Sequence, residues 1–109
     1  MDQLKVTETK QDKYTLLEIE GSLNSYTYSD FQNKLYELIE KTNVLVEMNR
    51  VTNLSSAGLG VLMSAIETGE EKGKKLYIFQ PSDVVKLAIE STGFSDHFML
   101  IDNLSEAVW

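Results

Sequence analysis

The sequence predicts a single α/β domain with a mostly parallel sheet. Short apolar runs typical of strands alternate with segments of helical periodicity, and the elements follow the order β-β-α-β-α-β-α-β-α. Strands that alternate with helices of about 10–15 residues pair in parallel through right-handed crossovers. A chain of 109 residues has room for one hydrophobic core, so we expect residues 1–109 to form one domain.

The first two strands are predicted at residues 4–8 and 14–21, where apolar and polar side chains alternate around a hairpin turn at 11–13. Residues 22–27 are expected to form a loop. From Tyr28 onward the apolar residues recur at helical spacing, which predicts the first helix. Its apolar positions are Phe31, Leu35, Leu38 and Ile39.

A nearly continuous apolar run at residues 44–48 predicts a buried parallel strand. The next helix is predicted over 59–72, with Gly73 as its terminator. The remaining elements are shorter: a strand at 75–79, a helix after Ser82 or Asp83 that ends at Gly93, a strand at 98–101, and a final helical turn after Asp102 or Asn103. Trp109 is expected to fold back on the sheet.

Charge and composition exclude several classes of function. The formal charge is −7, from 10 basic and 17 acidic side chains, and the lysines form no basic stripe, so we expect no nucleic acid partner. No apolar run approaches the roughly 18 residues that span a bilayer, and residues 1–20 lack a secretory signal. We therefore expect a cytoplasmic protein without membrane contact. Without cysteine and with one histidine, we expect neither a metal nor a cofactor.

The candidate functional site is the stretch Asn53-Leu54-Ser55-Ser56-Ala57-Gly58-Leu59-Gly60. It connects a predicted strand to a predicted helix, so two serine hydroxyls lie where free backbone N–H groups and the positive end of a helix converge. Such a place favours a negative group, either bound or attached to a serine. The alternative interpretation is structural, with one serine serving only as the N-cap and the glycines permitting close packing.

Enzymatic chemistry at these serines is not favoured. The histidine that could act as a base, His97, is predicted at the start of the last strand, and the serines lack the Gly-x-Ser-x-Gly elbow of hydrolases. The lysine of a phosphate-binding loop is also missing. An enzyme or small-ligand binder that uses the helix N-terminus as an anion site is the least favoured hypothesis.

Two segments resemble those of STAS domains, the fold of bacterial anti-sigma factor antagonists. Gly21-Ser22-Leu23-Asn24 is similar to the Gly-x-Leu/Ile-Asp segment that ends the second strand in that family. Leu54-Ser55-Ser56-Ala57-Gly58-Leu59-Gly60 is similar to the family's Met-Asp-Ser-Ser/Ala-Gly-Leu-Gly segment. The length and the order of elements also agree over essentially the whole chain.

The resemblance implies a non-enzymatic regulator that binds an anti-sigma factor, usually a serine protein kinase, in a partner-switching cycle. Phosphorylation by the kinase falls on Ser56, with Ser55 as the alternative acceptor, and a serine phosphatase reverses it. The implied partner-binding residues are Asn24, Ser25, Tyr26, Tyr28, Ser55, Ser56, Ala57, Gly58 and Val61.

Two positions depart from the family pattern. Asn24 and Ser55 stand where the family usually has aspartates, so both sites keep hydrogen-bonding capacity but lose charge. This departure motivates a second hypothesis, an interaction module that binds its partner constitutively without a working phospho-switch.

Overall fold

The computed structural model describes residues 4–109, so the first three residues of the predicted domain lie outside the described part. The strands are β1 (Lys5–Lys10), β2 (Thr15–Leu23), β3 (Val44–Leu54), β4 (Leu76–Phe79) and β5 (Leu100–Ile101). The helices are α1 (Tyr28–Ile39), α2 (Ser56–Lys72) and α3 (Asp83–Ser91), and short 3₁₀ turns lie at Ser95–His97 and Leu104–Glu106. Within residues 4–109, no helix is both long enough and apolar enough to cross a bilayer.

The five strands form one sheet in the order β1-β2-β3-β4-β5, which is also their order along the chain. β1 and β2 are an antiparallel hairpin, while every later pair is parallel. The predicted α/β class with mostly parallel strands is therefore confirmed. Each of the three helices connects two neighbouring parallel strands.

The main hydrophobic core lies between the three helices and one face of the sheet. Phe31 of α1, Leu62 of α2 and Ile89 of α3 are fully buried in the same cluster as alternate residues of β2, β3 and β4. Alternation along a strand sends every second side chain to this face. All three helices thus cover the same side of the sheet.

The opposite face of the sheet has a smaller core without helical residues. Its buried members are Leu45, Tyr77 and Ile101. The Trp109 ring stacks on Tyr14, with centroids 4.8 Å apart, and meets Tyr77 edge-on at 5.0 Å. The expectation that Trp109 folds back on the sheet is confirmed, and the C-terminal segment is what covers this face.

Three strands extend past their predicted ends, beginning with β1, which runs to Lys10 rather than to residue 8. β2 runs to Leu23, so the prediction of a loop from residue 22 is wrong for its first two residues, and β3 runs to Leu54 rather than to Met48. The pairing of β2 with β3 shifts register twice, between Glu18 and Glu20 and between Gly21 and Ser22. These irregularities break the simple alternation on which the prediction depended.

The other differences lie at element ends. α2 begins at Ser56, three residues before the predicted start, and β5 holds only two of the four predicted residues. The final helix is a single 3₁₀ turn. The predicted caps of the middle elements are confirmed: Ser82 Oγ accepts the Val85 N–H, and Gly73 ends α2 in the left-handed conformation.

Candidate functional site

The candidate site forms where β2 and β3 end side by side. Leu23 and Leu54 are register partners at the carboxyl ends of these parallel strands. The Ser55 backbone N–H donates to the Leu23 carbonyl oxygen at 2.9 Å, which ties the first residue after β3 to the end of β2. The start of α2 and the loop after β2 are therefore neighbours on one edge of the sheet.

The loop after β2, residues 24–27, is held by its own hydrogen bonds. Asn24 Oδ1 accepts the backbone N–H of Tyr26 at 2.8 Å and that of Thr27 at 3.2 Å. Thr27 Oγ1 accepts the Asn24 N–H at 3.0 Å and donates to the Ser22 carbonyl at 2.7 Å. These bonds fix the loop in one conformation beside α2.

Asn24 uses its amide in a way that an aspartate could not. Its Nδ2 donates to Ser22 Oγ at 3.0 Å, whereas an ionised carboxylate has acceptors only. Ser22 is 2% exposed, and its hydroxyl also receives Asn53 Nδ2 at 3.4 Å. Sequence reasoning placed Ser22 in the loop and counted Asn53 within the candidate stretch, but it assigned neither residue a hydrogen-bonding role beside Asn24. The neutral amide at position 24 thus stabilises the loop without a charge.

The two adjacent serines occupy different environments. Ser55 is the N-cap residue of α2, with extended φ and ψ of −86° and 174°, and its carbonyl accepts the Leu59 N–H at 3.0 Å. Its hydroxyl oxygen is buried and makes no hydrogen bond within the described residues. Ser56 is the first residue of the helix and is exposed. The first turn of α2 carries no acidic side chain, so its positive end is not offset locally.

The predicted contact residues after Ser56 differ in burial. Ala57 is half-buried, while Gly58 is buried. A Cβ on Gly58 would lie 2.7 Å from Leu54 Cδ1 and 2.8 Å from Leu23 Cγ. Val61 is 2% exposed and belongs to the main core. Gly58 and Val61 therefore pack the start of α2 against the core and expose almost no surface to another molecule.

The two tyrosines near the site, Tyr26 in the loop and Tyr28 at the start of α1, also differ in exposure. Tyr26 is 93% exposed, and Ser25 beside it is exposed as well. Tyr28 is half-buried and packs against the main core at the start of α1. The exposed part of the predicted contact surface consists of Ser25, Tyr26 and Ser56.

His97 lies away from the serines. It is exposed in a 3₁₀ turn rather than in the last strand, with its ring 5.9 Å from that of Phe94. It borders a cavity beside Met63 and Glu70 of α2. Since Met63 is seven residues from Ser56, this cavity begins about 10 Å along the helix. His97, which the sequence offered as a possible base, therefore lies at the cavity beside Met63 rather than at the start of α2.

Comparison with known families agrees with this geometry. The family model described as "STAS domain" matches residues 5–107, nearly the whole chain. The chain belongs to the STAS domain family. The candidate site is thus formed by the loop after β2 and the start of α2 of a STAS domain.

The relatives of this STAS domain include anti-sigma factor antagonists. The anti-sigma-B factor antagonist of Staphylococcus aureus (strain NCTC 8325 / PS 47) is 27% identical over 95 residues, covering 85% of this chain and 88% of the relative. The unphosphorylated form of the anti-sigma factor antagonist SpoIIAA superposes with a TM-score of 0.77 at 13% identity, over 94% of this chain and 92% of the other. The phosphorylated form of SpoIIAA from Bacillus gives a TM-score of 0.68 at 15% identity, over 97% and 96%.

Proposed function

We propose that this STAS domain is an anti-sigma factor antagonist whose binding is switched by phosphorylation of Ser56. The observation that carries the proposal is the exposure of Ser56 at the first position of α2, beside a loop fixed by its own hydrogen bonds. The anti-sigma-B factor antagonist of Staphylococcus aureus supports the same assignment. SpoIIAA supports it as well, since its structures include a phosphorylated and an unphosphorylated form.

The physical basis of the switch is the charge that a phosphate adds. A phosphoserine carries about −1.5 to −2 charges and three acceptor oxygens. At the start of a helix this group is compatible with the fold, because free N–H groups and the helix dipole stabilise it. A partner that covers Ser56 must instead desolvate the phosphate. A loss of about 2.7 kcal/mol weakens binding roughly a hundredfold.

The partner in this proposal is an anti-sigma factor that is also a serine protein kinase, and a serine phosphatase restores the unmodified form. The domain itself is a non-enzymatic regulator in the cytoplasm. Tyr26 supports the binding role, since an exposed aromatic side chain in the loop next to the start of α2 is a typical interface anchor. Ser25 and Ser56 complete the exposed contact surface.

The proposal is tested with the anti-sigma factor kinases encoded in the same genome, each purified and incubated with this protein and ATP. Intact mass spectrometry should show one added phosphate, and Ser56→Ala should abolish it. Calorimetry should show binding of the unmodified protein that falls at least a hundredfold in Ser56→Asp.

Ser55→Ala is the matched control for that experiment. The Ser55 hydroxyl is buried and unbonded, so its removal should leave both phosphorylation and the melting temperature close to those of the wild type. A phosphate that persists in Ser56→Ala but vanishes in Ser55→Ala would move the switch to Ser55 and contradict our assignment.

A second candidate, a constitutive interaction module, is favoured by one observation. Asn24 holds the loop through a donor bond to Ser22, so the site is stable without the charge that the family usually carries there. This candidate predicts that Ser56→Asp binds its partner as tightly as the wild type. The same calorimetric titration therefore separates the two functions.

A further inference from the structure

One glycine of α2, Gly60, has no packing reason in the fold. α2 contains three glycines, and the structure gives two of them a packing reason. Gly58 leaves no space for a Cβ beside Leu23, and a Cβ on Gly69 would lie 3.0 Å from the Lys74 carbonyl oxygen. Gly60, by contrast, is exposed, and a Cβ there would meet nothing within 4 Å. Glycine is the poorest helix former after proline, so the free domain gains nothing from it.

Gly60 lies on the same face of α2 as the switch serine. Residues three or four apart are neighbours on a helix surface, and these spacings connect the members of one stripe in turn. The stripe consists of Ser56, Gly60, Met63, Glu67 and Glu70. Met63 is half-buried and the two glutamates are exposed, so the stripe runs from a polar start through an apolar middle to an acidic end.

A cavity of about 180 Å³ opens at the acidic end of this stripe. It lies between α2 and the 3₁₀ turn that follows α3. Its lining residues are Met63, Ile66, Glu67, Glu70 and His97. The floor is therefore apolar, and two carboxylates stand at the rim, an arrangement that fits an apolar side chain flanked by basic ones.

We propose that this stripe is a docking surface for a helix of the partner protein, with Gly60 at the point of closest approach. The proposal rests on the proposed function, because the stripe continues from Ser56 into the cavity. The occupant is a basic amphipathic helix: a small residue lies against Gly60, an apolar side chain enters the cavity beside Met63, and lysine or arginine side chains face Glu67 and Glu70.

Because Gly60 has no side chain, the partner helix can lie close to the backbone of α2 at this point. Small residues let two helix backbones come close together, since no side chain separates them. A methyl group at this point would push the partner helix outward and weaken contacts along the whole stripe. The acidic rim in turn supplies charge complementarity, which speeds association and selects basic partners.

Gly60→Ala tests the close approach, because it moves stability and binding in opposite directions. We expect the melting temperature of the free domain to rise by about 2–6 °C. Affinity for the purified anti-sigma factor kinase should fall at least tenfold in calorimetry. Asn33→Ala, an exposed substitution in α1 that also improves helix propensity, is the matched control and should leave the affinity unchanged.

Glu67→Lys tests the charge of the partner helix. We expect at least a tenfold loss of affinity that shrinks as salt is raised, because screening removes the charge contribution. Asp12→Lys makes the same change of net charge in the β1–β2 turn and should have little effect.

The outcomes separate this inference from the proposed function. If the wild type binds and Ser56→Asp disrupts binding while Gly60→Ala and Glu67→Lys bind normally, the docking surface is overturned and the switch stands. If the wild type binds none of the kinases, the proposed function falls and the docking surface falls with it. Loss of affinity in both stripe variants, with both controls unaffected, supports the inference.

Discussion

At the scale of single residues, two adjacent serines lie in different environments. Ser55 and Ser56 are chemically identical, yet one hydroxyl is buried without a hydrogen bond and the other is exposed at the start of α2. The motif drew attention to both serines as the candidate site in the sequence. The resemblance preferred Ser56 and kept Ser55 as the alternative acceptor, but the sequence did not reveal that their hydroxyls differ in burial. The Ser55 N–H is bonded to the Leu23 carbonyl at the end of β2, a contact that exists only once β2 and β3 have paired.

Gly58 gives the residue-scale prediction for stability. Gly58→Ala places a methyl group 2.7 Å from Leu54 Cδ1 and 2.8 Å from Leu23 Cγ, so side chains or α2 itself must shift. Overpacking of this kind costs about 1–3 kcal/mol, and we expect the upper part of this range because the clash involves two side chains, one of them at its inner Cγ atom. The net effect is then a loss, since the gain in helix propensity is only about 1 kcal/mol. Urea denaturation should show a lower midpoint with an unchanged m-value.

Gly60→Ala is the matched comparison, because we expect it to change stability in the opposite direction. Gly60→Ala should raise the urea midpoint, since its methyl group meets open space. Equal effects of the two substitutions would contradict the packing described here. The sequence did not show whether either glycine was needed for close packing. The positions of Leu23 and Leu54 show that Gly58 is and Gly60 is not.

At the scale of elements, the order was predictable and several ends were not. The apolar residues of the second half of β3, Val51 and Leu54, follow Met48 at intervals of three, and all three are buried. A regular strand alternates at intervals of two, so this segment does not look like a strand in the sequence. The register shifts in the pairing with β2 restore the burial, and Gly21 allows one of them with φ of 109°.

The 3₁₀ turn Leu104–Glu106 gives a prediction about pH. Its Glu106 carboxylate accepts the backbone N–H of Asn103 at 2.9 Å and that of Asp102 at 2.7 Å. These bonds favour the charged form and lower the pKa of Glu106 below its ordinary value. Since the folded pKa is depressed, the contribution of the turn is present above the ordinary glutamate pKa and is lost as pH falls through the folded pKa.

Two measurements check this prediction. An NMR titration should place the pKa of Glu106 below that of glutamate in the unfolded chain. The fluorescence of Trp109, the single tryptophan, should change over the same acidic range, because the turn leads directly into the segment that carries this ring. In Glu106→Gln that acidic change should be absent. A Glu106 pKa at or above the ordinary value would contradict the assignment.

At the scale of the whole molecule, the two faces of the sheet differ in what covers them. One face is covered by all three helices, and the other by the C-terminal segment through Trp109. The sequence indicated the parallel α/β class and the position of Trp109. It could not indicate that every helix lies on one side, because that follows from the strand order rather than from any single segment.

The coverage of the helix-free face can be tested with Trp109→Ala. The half-buried indole stacks on Tyr14 and meets Tyr77 edge-on, so its loss should lower the free energy of unfolding by about 1–3 kcal/mol. Circular dichroism during urea denaturation measures this change. Trp109→Phe keeps an aromatic ring and should retain part of the stability, whereas an unchanged midpoint in Trp109→Ala would show that the segment contributes nothing.

The coincidence of strand order with chain order has a consequence for biosynthesis. Each strand pairs with the strand that precedes it in the chain, so no later strand has to insert between two strands that have already paired. When a strand leaves the ribosome, the strand it pairs with is therefore already at the edge of the growing sheet. Assembly can therefore follow translation from β1 to β5 without undoing earlier steps. The hairpin and α1 would shelter their apolar side chains first, and β5, with two residues, would close the sheet last.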